Sequence, residues 1–373
     1  MCAACLTAQP LSTTTQSTTK PIEAIRAAAE KGDAEAQVEL GKRYAKGQGV
    51  QSDNSEAAKW FRTAADQGNL EGERELGIGY LNGLGLPKDE AEGIKWIRRA
   101  ADQGFAPAQR SLGGIYRNGH GVTKDYSQAL FWHRKAAEQG DTMSQFILGR
   151  MYGLGLGVPK DYVQAVVWYR RAAEQGYAPA ETYLGIAYSL GTGVDKNDTE
   201  AVRWYRKSAD QGYALGQENL GFAYSEGKGV GKDEAEAVRW FRKAADQGDA
   251  TAEDQLAIAY HKGRGVKQDD AEAHKWFSKA AEQGNSYAES SLGKDYYFGR
   301  SIAKDMVQAR KWTRKAAEQG DIESEDLLAF MLRMGLGGPM DEAEAIKWYQ
   351  KAADQGDQKA KDMLEVLKKP KGQ

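Results

Sequence analysis

Apolar residues recur along this chain at helical spacing, and the spacing restarts at regular intervals. Within residues 33–68, Ala36, Leu40, Gly41 and Tyr44 fall at i, i+4, i+5 and i+8, one stripe of a helix. The stripe stops at "KGQGV", where Gly47 and Gly49 end the helix and turn the chain. A second stripe follows with Ala57, Trp60, Phe61, Ala64 and Ala65, and it ends at "DQG" with Gly68 as the left-handed cap. Asp53 stands where its carboxylate can accept bonds from the free N–H groups opening that second helix. The pattern predicts a helix–turn–helix hairpin and leaves no room for strands.

The hairpin repeats every 36 residues, as the tryptophans show, from Trp60, Trp96 and Trp132 to Trp312 and Trp348. Leucine keeps the same period from Leu40 to Leu364, and tyrosine from Tyr44 to Tyr296. Length alone would suggest two or three domains; the period predicts one repeat array instead. Small residues in the columns starting at Ala36 and Ala65 let helix axes approach, while Trp and Tyr fill the gaps between turns. No hairpin can bury both faces alone, so neighbours complete its core and the array coils into an all-α superhelix. Residues 21–32 match a lone second helix and form an N-terminal cap. Residues 33–356 make nine repeats. Residues 357–373 hold a first helix and a tail, with Glu365 and Lys368 making its outer face polar, as a C-terminal cap requires.

The unit "A..LG..Y..G.GV..D...A..W..KAA.QG", nearly complete from Ala180 to Gly212, resembles the Sel1-like repeat, a relative of the tetratricopeptide repeat. The resemblance covers about residues 21–368. It implies a right-handed α/α solenoid acting as an adaptor in protein–protein interaction. It also implies a bacterial protein, periplasmic or secreted rather than cytoplasmic, serving envelope, signalling or host-contact processes. Cysteine-rich relatives have been described as penicillin-binding or β-lactamase proteins. Those use paired cysteines within each repeat, which this chain lacks.

Charge adds little direction. Lys+Arg 51 against Asp+Glu 53 leaves −2, so no overall basic excess points to nucleic acid or to an anionic membrane. No apolar run approaches the roughly 20 residues of a membrane span. The two cysteines, Cys2 and Cys5, precede a Thr/Ser-rich stretch. No strand–helix unit follows for a redox motif, and no second pair completes the about four ligands of zinc. Residues 1–20 read as a tail or a truncated export signal.

Catalytic chemistry finds no foothold. His120, His133, His261 and His274 occupy different repeat registers and read as solvated or packed side chains. Zincin, nucleophile-elbow and Walker patterns are missing, so no catalytic residue, metal or cofactor is expected. The stretch "GLGLGVPKD" from Gly153 to Asp161 looks like a phosphate loop, but a phosphate loop follows a strand and occurs once. Here Gly155, Gly157 and Asp161 belong to columns that recur along the chain, which makes the stretch a connector.

Binding is expected on the face lined by residues equivalent to 35, 38, 42, 45 and 46, which vary between repeats while the packing columns do not. The column from Val38 passes through Arg74, Arg110 and Phe146 to Glu218, Asp254 and Asp326. Arg117 and Arg150 strengthen its basic end, and Phe222, Tyr287, Tyr297 and Phe330 add aromatic anchors. A groove basic toward the N-terminal repeats and acidic toward the C-terminal ones follows, for a partner protein or peptide. Single-stranded RNA is disfavoured, because the regular Trp column lies on the Ala-rich packing face rather than in the groove. Two other classes compete: an envelope enzyme or enzyme-regulating factor acting on peptidoglycan or β-lactams, and a structural spacer.

Overall fold

The computed structural model describes residues 21–368, and the expectations for the tails at 1–20 and 369–373 lie outside them. Twenty helices and no strand occur among the described residues. The chain divides into two compact units: 21–151 with 155–159, and 152–154 with 160–368, as far as the described residues go.

The first unit holds α1 (Ile22–Glu30), α2 (Ala34–Lys46), α3 (Asn54–Asp66), α4 (Leu70–Asn82), α5 (Glu90–Asp102), α6 (Ala106–Asn118) and α7 (Tyr126–Glu138). The division falls inside α8 (Thr142–Leu154). The second unit continues with α9 (Tyr162–Glu174), α10 (Ala178–Leu190), α11 (Asp198–Asp210), α12 (Ala214–Glu226), α13 (Glu234–Ala245) and α14 (Ala250–Lys262). It closes with α15 (Asp270–Glu282), α16 (Ser286–Phe298), α17 (Met306–Glu318), α18 (Ile322–Met334), α19 (Glu342–Asp354) and α20 (Gln358–Lys368). Within each unit every helix packs on the next, so each is a stretch of all-α solenoid.

Local chemistry sets the boundaries. Asp53 accepts from the N–H groups of Ser55 and Glu56, and Asp161 from that of Gln164, so the connector reading of "GLGLGVPKD" describes the structure. Gly47, Gly83 and Gly119 close first helices in the left-handed region, at φ of 66°, 67° and 76°. The second connector glycine does more. A Cβ on Gly85 would lie 2.0 Å from the Asn54 carbonyl oxygen, so the connector of one repeat presses on the second helix of the repeat before it. Ser301 holds the same place in its repeat at φ 58°, the one non-glycine residue with positive φ among those described.

Packing follows the columns. Leu40, Leu76 and Leu112 in the first unit, and Leu184, Leu220 and Leu256 in the second, are fully buried between alanines. Polar rungs cross the same seams. Gln67 Nε2 donates to Gln37 Oε1 at 2.7 Å, and Gln37 Nε2 donates to the Ala29 carbonyl at 3.0 Å. A second rung joins several second helices to the next first helix: Arg26 to the Tyr44 hydroxyl at 3.0 Å, Arg170 to that of Tyr188 at 2.8 Å.

Candidate functional site

The face lined by the column from Val38 is less open than its residues suggest. Val38, Thr182 and Asp254 are buried, and Arg74, Glu218 and Asp326 are half-buried. Arg74 is held by Glu75 and donates to Ser111 Oγ at 3.3 Å. Arg110 pairs at 2.5 Å with Asp141, which also accepts from the Ser144 N–H at 2.8 Å. These two arginines of the expected basic end are thus engaged within their own unit. Arg117 is half-buried and donates to Asn118 Oδ1 at 3.4 Å, Arg150 is exposed and Phe146 half-buried.

In the second unit, burial, with Asp249 nearby, pushes the Glu218 carboxyl up to about 7. Burial pushes Asp254 up to about 7 as well, and its Oδ1 has no hydrogen-bond partner. Asp326 is raised by burial and by the neighbouring Asp357. Phe222 meets Phe241 edge-on at 5.1 Å, and Tyr287 lies 6.2 Å from Phe277 with half its surface exposed. Tyr297 stacks edge-on against Phe298 at 4.9 Å, and Phe330 is half-buried.

The histidines divide into an exposed one and three engaged ones. His120 is exposed. His133 is fully buried in the aromatic column, and burial followed by the nearby Arg117 and Arg110 lowers its pKa to about 3, which keeps it neutral. His261 Nδ1 lies 2.8 Å from Asp270, and His274 Nδ1 3.2 Å from Asp295. No group of three or more metal-ligating side chains occurs among the described residues, and none of their helices is long and apolar enough to cross a membrane.

One concavity of about 620 Å³ lies on the Val38 face of the first unit, lined by Val38, Lys42, Leu70 and Phe105, and three others share one recurring place. In the first unit a cavity of about 160 Å³ is bounded by the end of α2 (Lys42, Lys46), by Phe61 of α3, by Gly79 of α4 and by Leu84 and Leu86 of the connector. In the second unit, equivalent residues bound a cavity of about 90 Å³ between α10, α11 and α12, and one of about 400 Å³ between α12, α13 and α14. Phe222 and Glu226 line both. Each of these sockets has the same residue position of a first helix in its wall: Gly79, Ala223 and Ala259. Three other repeats hold Ile115, Met151 or Met331 there, all buried, with side chains long enough to occupy the equivalent space, and two hold Arg43 and Ala187. Where it holds Asp295, a His274–Asp295 pair stands there instead, with His274 edge-on to Tyr296 at 5.6 Å.

The variable-face argument named Phe222 but missed the residue that opens the socket beside it. The signal is present in the sequence: one first-helix position that holds Gly or Ala in four repeats, Ile or Met in three, and Arg or Asp in two. Variability among polar residues drew attention to the neighbouring column instead.

A Sel1 repeat model matches nine consecutive segments, residues 34–69, 70–105, 106–141, 142–177, 178–213, 214–249, 250–285, 286–321 and 322–357. The chain therefore belongs to the Sel1 repeat family, whose members are generally protein-interaction scaffolds and typically non-catalytic. Among solved structures it is similar to c5321, a protective antigen of uropathogenic Escherichia coli strains with the same repeat fold. The two are 36% identical over 93% of this chain and 82% of that one, with a TM-score of 0.71. A Sel1 repeat protein from Oxalobacter formigenes is 32% identical over 93% of this chain and 90% of its own, with a TM-score of 0.62. No curated protein sequence matches the chain.

Proposed function

We propose that this protein is a non-catalytic adaptor that takes a segment of a partner protein on the first-helix faces of its repeats. What carries the reading is the recurrence of one socket register in three repeats, each socket walled by positions that vary from repeat to repeat. Non-covalent binding follows: sockets accept side chains, and surrounding charges select the sequence around them. Lys42, Lys46, Arg117 and Arg150 favour acidic segments on the first unit's repeats. On the second's, the half-buried Glu218 and Asp326 favour basic ones, while Asp254 is buried away from a partner. Phe222, Tyr287, Tyr297 and Phe330 supply apolar contact there. The likeness to a protective antigen favours an exported adaptor, periplasmic or secreted.

Site-resolved photocrosslinking in the native host tests this. A photoreactive residue at Lys46 or Glu226, on socket rims, captures a defined partner, whereas the same residue at Asp66 or Asp102, at second-helix ends, does not. Equal capture at all four sites, or at none, removes the socket face from the function.

A further inference from the structure

We infer that the socket of the first unit is a binding site for a large apolar side chain, aliphatic or phenyl, flanked by carboxylates in the partner's sequence. The inference rests on the adaptor reading and gives its ligand a chemistry.

The socket's interior is apolar. Phe61 lines one wall, Leu76 and Ile78 another, and Leu84 and Leu86 of the connector a third. Its volume of about 160 Å³ exceeds the space of a single water several-fold, so a polar-poor cavity of this kind gains by taking an apolar group. Space exists because position 79 carries no large side chain: it is glycine here and alanine in the sockets at 223 and 259. A Cβ on Gly79 would meet only the Leu84 carbonyl at 3.5 Å and Leu86 Cδ1 at 3.6 Å, ordinary contacts. Nothing in the backbone demands glycine either, since Gly79 lies within α4 and has no positive φ. Glycine in a helix interior costs about 1 kcal/mol relative to alanine. Three other repeats carry Ile115, Met151 or Met331 at this place, all buried, so the fold accommodates a filled position.

The rim sets the flanking charge. Lys42 and Lys46 stand at the mouth. Lys46 is exposed and makes no ion pair among the described residues, while Lys42 reaches Glu71 at 2.5 Å. The carboxylate of the lining, Glu75, is already held by Arg74. The uncompensated charge at the mouth is positive. A partner segment with an apolar anchor between acidic residues complements both parts, the anchor giving affinity and the carboxylates direction and on-rate.

The chain itself supplies the variants for the test. Gly79→Ile and Gly79→Met install the residues used at 115, 151 and 331, filling the socket while raising helix propensity. The probes are fluorescein-labelled pentapeptides, Glu-Glu-Phe-Glu-Glu, its Ala-centred version and Lys-Lys-Phe-Lys-Lys, titrated by anisotropy into the full chain. The acidic Phe peptide binds at least tenfold tighter than its Ala-centred version, and any binding of the basic Phe peptide by the second unit is insensitive to the Gly79 variants. Gly79→Ile and Gly79→Met weaken it at least tenfold with the melting temperature unchanged or raised, Gly79→Ala by less than threefold, and Lys46→Glu about fivefold. Equal affinity for the Phe and Ala peptides, or full affinity in a folded Gly79→Met protein, overturns the inference. If these peptides fail while rim crosslinking still captures a partner, the adaptor reading stands and the anchor chemistry falls.

Discussion

At the residue scale, the acids of the second unit carry a measurable consequence. Asp254 is about 5% exposed, and its burial pushes the carboxyl up to about 7 from an ordinary value near 4. The folded state then keeps a proton that the unfolded chain releases, so this group's contribution to stability falls as pH rises from about 4 to about 7. Asp254→Asn removes that dependence. Thermal unfolding of variant and parent nearly coincides at pH 4, and the variant gains about 1–3 kcal/mol at pH 8. A gap that stays constant with pH would show that Asp254 titrates as an ordinary surface acid. Charge along the column from Val38 is visible, but whether a side chain is free depends on what its own second helix or the next repeat places against it. Arg110 meets Asp141, and Thr182 meets Ser208 at 2.7 Å, partners 31 and 26 residues away.

At the element scale, two connector glycines of similar backbone conformation differ in what surrounds them. Gly83 and Gly85 have φ of 67° and 69°, yet a Cβ on Gly83 meets Lys88 Cβ at 3.3 Å, while one on Gly85 would overlap the Asn54 carbonyl. Gly83→Ala costs about 1 kcal/mol, the ordinary left-handed penalty. Gly85→Ala adds a displacement of the connector from α3 and costs about 2–4 kcal/mol. Urea unfolding of the two variants checks the order, and equal losses would show that the connector yields freely. The helices, their caps and the small-residue seams were legible because each depends on residues close in sequence or exactly one period apart. The sockets were not legible. They depend on how the volume at positions such as Gly79 and Met151 meets a connector and two other helices, which a single stripe does not reveal.

At the scale of the whole molecule, an array stabilised by neighbour contacts responds to the length of a cut rather than its position. Removing residues 214–249, one complete repeat, keeps every remaining first helix facing a second helix. Such a protein folds with unchanged helicity per residue, and its urea m-value falls by roughly a tenth, in step with the surface removed. Removing residues 214–231 instead deletes α12 and its connector and brings two second helices together. That protein loses the sharp unfolding transition. Circular dichroism with urea titration distinguishes the two, and equal behaviour would argue that the hairpin is not the folding unit.

The position that opens or fills the sockets has a history implied by its sequence. Read in order it runs Arg43, Gly79, Ile115, Met151, Ala187, Ala223, Ala259, Asp295, Met331. A single codon change there can open or fill one socket while the stacking columns stay intact. After duplication, copies of such a gene can therefore diverge in what they recognise faster than in how they fold. Their ligand preferences would be inherited as a nine-letter word, legible by aligning a chain with itself.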